Sequence, residues 1–308
     1  MCLKIAYTMG TMFWLFLVLT THFSWALSNI ADKYILEHKF GNPYVYMLWT
    51  TLFGTSVFLL IPFVDFSAFD ARSLMFTVLG SMCFFAGGFP YAKAVQIEEV
   101  TRINVWWSLQ PIFGIFIGFA FGKYLAPAEL AAVGILFVAA FLASLHAKKK
   151  VLSMSPALLL MMLSTFLFAL YAAFLHEATQ MVPFFSAFVV STIVKVLIAW
   201  GIAFMPRFRQ VQKKAFQQVN KSIVLWFVFI FITGNIGIYL NHWALSLKHA
   251  SLVFAFEASQ AIFIFIMAML LHNINPALLQ EEFDRENIMF KLFAIVLMIV
   301  GVLVLAFA

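Results

Sequence analysis

The chain has 308 residues, of which 64% are hydrophobic and only 10% are charged, and its formal net charge is +6. A soluble domain carries about 25% charged residues, so this composition excludes an ordinary water-facing globule and indicates a polytopic α-helical membrane protein. The basic residues lie mostly in short segments between apolar runs, where membrane orientation explains them, so no nucleic-acid partner is predicted.

Ten apolar segments, separated by charges and turn residues, follow one another along the chain. They span residues 12–31, 43–63, 73–92, 101–121, 127–146, 156–175, 183–204, 223–242, 250–271 and 289–308. The first is too long for the apolar core of a signal peptide and is predicted to be a membrane helix. Four segments have a proline near their start, where its missing N–H costs little: Pro43, Pro127, Pro156 and Pro183. The longer connections, 206–222 and 272–287, are predicted to be loops.

The two halves of the chain match each other under a shift of 150 residues, which superposes 94–113 on 244–263 and Gln110 on Gln260. Each half has five segments, an odd number, so the second half must enter the membrane from the opposite side. The predicted fold is an all-α membrane protein with ten transmembrane helices, arranged as two inverted five-helix repeats (5+5). The repeats are assigned to residues 1–150 and 151–308.

Loop charges predict the orientation of the chain in the membrane. Lysines and arginines number four on the side of the N-terminus and fourteen on the other side. The positive-inside rule then places both termini outside the cytoplasm.

The ten-helix pattern resembles the drug/metabolite transporter superfamily, specifically its EamA-type members. The resemblance lies in "HFSWALSNIADKYIL" (22–36), in 91–145, and in their counterparts 241–271 and 293–306. It implies an inner-membrane transporter of small metabolites, often exporting amino acids or related compounds. It also implies a central cavity lined by the third, fourth, eighth and ninth helices, with the first and sixth nearby.

Three ionisable residues lie well inside the predicted segments: His22, Lys195 and Glu257. A charge at the centre of a membrane helix costs roughly 2.5–3.5 kcal/mol, so each is expected to face protein or water. Glu257 is predicted to exchange protons or to bind a substrate ammonium, the alternative being a packing role against a neighbouring helix. Lys195 is a candidate partner for Glu257 or for a substrate carboxylate, unless its long side chain reaches the membrane surface.

The internal match extends the candidate site to the fourth segment. Glu257 corresponds to Trp107, and the matched pair Gln110 and Gln260 lies at equal depth. Trp106 and Trp107 are candidate walls or cation–π faces for a substrate, or simple core residues. Pro111 is expected to leave the carbonyl of Trp107 without its helical partner.

The first segment places His22, Trp25 and Asn29 on one helical face, which favours a packing role for His22. Individually weaker polar candidates are Tyr91, Asn104, Tyr171 and Asn235.

The expected function is secondary transport of a small metabolite by alternating access, with proton coupling left open. An uncoupled facilitator and a non-transporting receptor or assembly subunit are the alternatives. Enzyme activity is not expected, because no nucleophile–base pattern occurs. Two cysteines and seven scattered histidines predict no metal site and no cofactor. The expected partners are the substrate and the lipid bilayer, and a monomer would suffice for this fold.

Overall fold

The structure, a computed structural model, is built almost entirely of helices. It describes residues 2–39, 41–120, 126–143, 145–148, 151–217, 219–247, 256, 258–279 and 281–307. Glu257 therefore lies outside the described residues.

Twelve α-helices occur in the described ranges. They are α1 (Cys2–His38), α2 (Pro43–Phe53), α3 (Ala71–Ile97), α4 (Val100–Trp106), α5 (Leu109–Ala120), α6 (Pro127–Ala143), α7 (Ala157–Thr179), α8 (Phe184–Ala203), α9 (Pro206–Phe216), α10 (Lys221–Leu247), α11 (Ala258–Ile274) and α12 (Arg285–Ala306). Helix α2 continues as a 3₁₀ helix (Gly54–Phe63), and a 3₁₀ turn (Phe66–Ala68) precedes α3. Between α6 and α7, an antiparallel hairpin pairs β1 (Leu145–Lys148) with β2 (Val151–Met154).

Side-chain caps explain where several helices begin. The Asn42 side chain accepts from two backbone N–H groups at the start of α2, and Pro43 occupies its first position. Asp70 and Ser73 form a reciprocal capping box at the start of α3, and Asp284 caps α12. The remaining proline starts that the sequence predicted are also present, at Pro127, Pro156 and Pro183.

Four predicted boundaries were wrong. Helix α1 runs to His38 instead of ending at residue 31, because its charges at that end are compensated: the Lys33 ammonium lies 2.5 Å from the Glu37 carboxylate. Likewise, α3 continues to Ile97 instead of ending at residue 92. The predicted loop 206–222 contains α9, which buries Ala215 and exposes its lysines. The fourth segment is broken between α4 and α5.

Seven helical stretches in the described part of the chain are long and apolar enough to cross a membrane. They are Phe13–His38, Pro43–Phe63, Ala71–Ile97, Ala157–Thr179, Phe184–Ala203, Lys221–Asn241 and Arg285–Val304, with Pro127–Ala143 and Ser259–Ile274 as shorter apolar helices. Large apolar side chains are exposed on them, among them Phe16, Leu59 and Leu159, as a lipid-facing surface requires. The protein is a multi-pass all-α membrane protein, and ten crossings remain a prediction.

Helix packing follows a symmetric pattern. Helix α3 packs on α7 and α1 packs on α10, while α6 packs on α12, α2 on α8 and α4 on α11. When each helix is replaced by its counterpart in the other half, the pair α3–α7 becomes the pair α10–α1. Each of the other three pairs stays the same pair. Two repeats related by a two-fold axis would pack in this way. The division at residue 150 stays a prediction.

Candidate functional site

A chain of hydrogen-bonded polar side chains crosses the interior between the helices. We call it the interior network: His22, Asn29, Asp32, Tyr46, Tyr91, Asn104 and Gln260. Helices α1, α2, α3, α4 and α11 contribute its members, so it joins both halves of the chain. Polar groups in lipid are normally satisfied within the protein, and such networks mark substrate or ion pathways.

Asn104 fixes the direction of the bonds in this network. Its Nδ2 donates to the carbonyl of Val100 (2.9 Å), which can only accept, so its Oδ1 must be the acceptor for its neighbours. That oxygen accepts from Asn29 Nδ2 (3.0 Å) and from Gln260 Nε2 (2.8 Å). The Gln260 Oε1 atom, 3.4 Å from His22 Nδ1, is then an acceptor and requires the proton on that nitrogen.

Asp32 forms the other end of the interior network. Its side chain accepts from the hydroxyl of Tyr46, and its Oδ2 lies 2.9 Å from the hydroxyl of Tyr91. The same Tyr91 oxygen lies 3.0 Å from Asn29 Oδ1. The residue is only 6% exposed, so this carboxyl group is held inside the protein by hydroxyl groups.

The fourth segment is interrupted at Trp107 and Ser108. The N–H of Ser108 donates to Val105 O (3.0 Å) and that of Gln110 donates to Trp107 O (2.9 Å), which are three-residue turn bonds. Pro111 has no N–H to serve as the helical partner of the Trp107 carbonyl, and the tighter turn supplies the N–H of Gln110 in its place. The Trp107 ring packs against Tyr91, with 5.5 Å between ring centroids.

Four buried polar atoms without a partner among the described residues belong to this break or to α1. They are Thr21 Oγ1, His22 Nε2, Trp107 Nε1 and Ser108 Oγ. Lys33 of α1 reaches the carbonyl of Glu98 before α4, while Asn29 reaches Asn104, so α1 and α4 run antiparallel. The four atoms therefore lie on the same side of the Asn29–Asn104 contact, and Asp32 lies on the other.

Five predicted site residues belong to the interior network or border it: Gln260, His22, Asn29, Tyr91 and Trp107. The others are placed differently. Trp106 is fully buried and donates to Ala140 O (2.9 Å), Trp25 Nε1 donates to Gly234 O (3.2 Å), and Asn235 Nδ2 donates to Phe231 O (2.8 Å) in its own helix.

Lys195 and Gln110 lie apart from these hydrogen bonds. The Lys195 ammonium lies 4.2 Å from the centroid of the Phe84 ring and 5.6 Å from that of Tyr171, a cation–π arrangement between α8, α3 and α7. Gln110 is half-buried at the start of α5.

Sequence reasoning missed Asp32 and Tyr46. Asp32 lies one residue beyond the predicted end of the first segment and was therefore not counted among the ionisable residues inside it. A signal was available, since His22, Trp25, Asn29 and Asp32 repeat at spacings of three and four and so share one helical face.

A second polar group, at the ends of helices, joins the two halves of the chain. We call it the boundary cluster: Glu99, Thr101, Arg102, Glu281, Asn287 and Lys291. The Arg102 side chain forms an ion pair with Glu99 and donates to Asn287 Oδ1 (2.9 Å). The Lys291 ammonium lies 2.9 Å from Glu99 and 3.1 Å from Glu281.

Glu281 is a buried acid of the boundary cluster whose pKa is raised. Burial raises the pKa of its carboxyl group, and the nearby Glu99 carboxylate acts in the same direction, while the Lys291 ammonium opposes both. Thr101 donates its hydroxyl to the same carboxylate (2.6 Å). On this face, the start of α4 is thus bonded to the start of α12 and to the loop before it.

Comparison with known proteins shows a similarity to a transporter family and to a solved structure. The model of the EamA-like transporter family matches residues 12–145. A solved crystal structure is similar over 96% of this chain and 94% of its own, with a TM-score of 0.59 and 16% sequence identity, which shows the fold alone. No curated protein sequence shows significant similarity. Residues 12–145 are thus similar to the EamA-like transporter family, and the solved structure supports the helical fold of the whole chain.

Proposed function

We propose that the protein is a secondary transporter that moves a small polar metabolite, an amino acid or a related compound, by alternating access. It acts as a transporter and not as an enzyme. The observation that carries this proposal is the group of buried polar atoms near the α4–α5 break that no described residue satisfies.

The cost of burying such atoms explains why they point to a ligand. A buried donor or acceptor without a partner costs about 1–3 kcal/mol, which a bound polar molecule recovers. The Trp107 Nε1 atom is a donor suited to a substrate carboxylate. His22 Nε2 is an acceptor suited to an ammonium, because its Nδ1 carries the proton. The Ser108 hydroxyl serves either role.

The remaining details of this proposal rest on sequence. Glu257, three residues before Gln260, is proposed as a further substrate or proton contact, and Gln110, Trp106 and Lys195 keep their proposed roles at the substrate pathway. Export and the inner (plasma) membrane location are proposed from the family resemblance, and proton coupling is proposed from the ionisable Glu257 in an apolar segment. The non-cytoplasmic termini follow from the loop charges.

The test is counterflow of labelled amino acids, amines and sugar derivatives in proteoliposomes, with thermal stabilisation as a second readout. Trp107→Phe keeps the ring and removes the donor, and Ser108→Ala removes the hydroxyl. Each is expected to raise the KM of the transported compound about tenfold or more, the value of one lost buried hydrogen bond of ~1.4 kcal/mol. Trp200→Phe is the matched control, since Trp200 is exposed and stacks on Phe204.

Each outcome separates the alternatives. Absence of counterflow for every compound would favour a receptor or assembly subunit. Counterflow that ignores an imposed proton gradient would indicate a facilitator. An unchanged KM in both variants would show that the α4–α5 break does not contact the substrate. Unchanged transport by Glu257→Gln would show that Glu257 has no role in transport.

A further inference from the structure

Asp32 is a buried acid without a cation. Among the described residues, no Lys, Arg or His nitrogen lies within 4.0 Å of its carboxylate. Its sequence neighbour Lys33 is bound elsewhere, to the carbonyls of Val95 (3.0 Å) and Glu98 (2.7 Å) and to Glu37. An ionised Asp32 would thus be a single negative charge inside the helix bundle, which is costly without a cation.

Counting hydrogen atoms in the interior network shows where a proton belongs. The Tyr91 hydroxyl has one hydrogen but two oxygen neighbours, Asn29 Oδ1 (3.0 Å) and Asp32 Oδ2 (2.9 Å). Asn29 Oδ1 cannot donate, because Asn104 fixes the orientation of that amide. With Asp32 ionised, one of the two contacts would have no hydrogen between its oxygens.

A protonated Asp32 satisfies every contact. Its Oδ2–H then donates to the Tyr91 oxygen, and Tyr91 donates to Asn29 Oδ1. Tyr46 still donates to the other carboxyl oxygen. All donors and acceptors at this end of the network are paired in this arrangement.

The other described charged and titratable groups on the neighbouring helices are bonded to or packed on other residues, or are exposed. Arg102 of α4 is bonded to Glu99 and Asn287. Helix α10 presents Phe227 to Tyr46, and α11 presents Gln260 to Asn104. The other described titratable side chains of α10 and α11 are those of Lys221, Tyr239 and His272. Lys221 and Tyr239 are exposed, and His272 packs on Phe283. Glu257 lies outside the described residues.

We propose that Asp32 is a proton-binding site of this protein, protonated in the conformation described, and that its deprotonation couples proton movement to transport. The proton-binding site stands on the geometry, whereas the coupling rests on the proposed transport function. When the carboxyl group releases H⁺ to become a carboxylate, Tyr91 turns its hydrogen from Asn29 to Asp32. Asn29 Oδ1 then loses its donor, which disturbs the bonds through Asn104 and Gln260 to His22.

The protonation of Asp32 is tested by infrared spectroscopy of the full-length protein in lipid at neutral pH. This measurement needs no substrate. The wild type is expected to show a protonated-carboxyl C=O band that Asp32→Asn loses. Asp65→Asn, at an exposed loop acid, is the control and is expected to keep the band. Tyr46→Phe removes a donor to this carboxyl group and is expected to shift the band to higher frequency. Identical spectra of wild type, Asp32→Asn and Tyr46→Phe would overturn the proposal.

The coupling is tested separately in proteoliposomes with an equimolar mixture of labelled protein amino acids. An imposed proton gradient is expected to drive accumulation by the wild type and by Asp65→Asn, with complete loss in Asp32→Asn. Gradient-driven accumulation by Asp32→Asn equal to wild type would overturn the coupling role. Absence of wild-type counterflow would instead count against the proposed function, while the infrared band would still decide the proton site.

Discussion

Asn104 is the residue on which the interior network depends most. One side-chain oxygen accepts from Asn29 and Gln260, and the amide nitrogen is bonded to the carbonyl of Val100. Asn104 thus joins α1 to α11 through α4, in addition to the direct contact between His22 and Gln260. Removing Asn104 therefore leaves two donors without an acceptor, although it leaves the apolar core intact.

Asn104→Leu is predicted to lower the Tm of the detergent-solubilised protein by several degrees. Each buried donor left unpaired costs about 1–3 kcal/mol. Asn235→Leu is the matched control, since the bond of Asn235 in the described part of the chain is to Phe231 within its own helix. Equal Tm values for the two variants would contradict the central position of Asn104.

Single residues also show what sequence could and could not predict. His22, Asn29 and Tyr91 were identified because polar residues in apolar segments are conspicuous. Asp32 was not, since the apolar segment was taken to end at residue 31. Its contact with Tyr46 depends on how α2 packs against α1, and a residue pattern within one helix carries no such information.

At the scale of elements, α3 and α7 approach each other closely at Gly87. A Cβ atom there would lie 3.1 Å from Leu167 Cβ and 3.3 Å from the carbonyl of Ser164, while the Ser164 hydroxyl donates to Gly87 O (2.9 Å). Small residues permit such contacts between membrane helices.

Gly87→Val is predicted to destabilise the folded protein by about 1–3 kcal/mol, because overpacking would separate α3 from α7. Gly201→Val in α8 is the control, since a Cβ atom at Gly201 meets nothing within 4 Å. Thermal unfolding in the same detergent measures both variants. A loss at Gly201 as large as that at Gly87 would argue against close packing as the cause.

Apolar runs and proline positions predicted most helices, but they did not predict the α4–α5 break or helix α9. The break at Trp107 and Ser108 lies inside a continuous apolar segment, where hydropathy gives no sign of a change in backbone path. Helix α9 has a polar sequence whose apolar residues Phe208, Val211 and Ala215 lie on one face, and it is stabilised by contact with α8 and α2.

At the scale of the whole molecule, the boundary cluster closes one face between the two halves. Alternating access requires the contacts on each face to open in turn. Glu99 and Arg102 belong to the first half, whereas Glu281, Asn287 and Lys291 belong to the second. In the proposed transport cycle, opening this face would separate these buried charges, so the cluster favours the arrangement described here.

Lys291→Met is predicted to open this face more often, because it removes the cation that bridges Glu99 and Glu281. The measurement is the labelling rate of Ser108→Cys by a membrane-impermeant maleimide, in a background without the native cysteines. The rate is expected to rise several-fold. Lys221→Met, at an exposed lysine, is the control, and a rate unchanged by Lys291→Met would exclude the cluster as a closing contact.

The bond from Asn104 to Val100 has a consequence for the membrane as a barrier. A single backbone carbonyl sets the direction of three side-chain amides, and these amides separate Asp32 from His22. Amides pass on the direction of a hydrogen bond but do not ionise, so they form no wire for hopping protons. The interior network can thus pass on the direction of a hydrogen bond between Asp32 and His22 while offering no route for proton hopping between them.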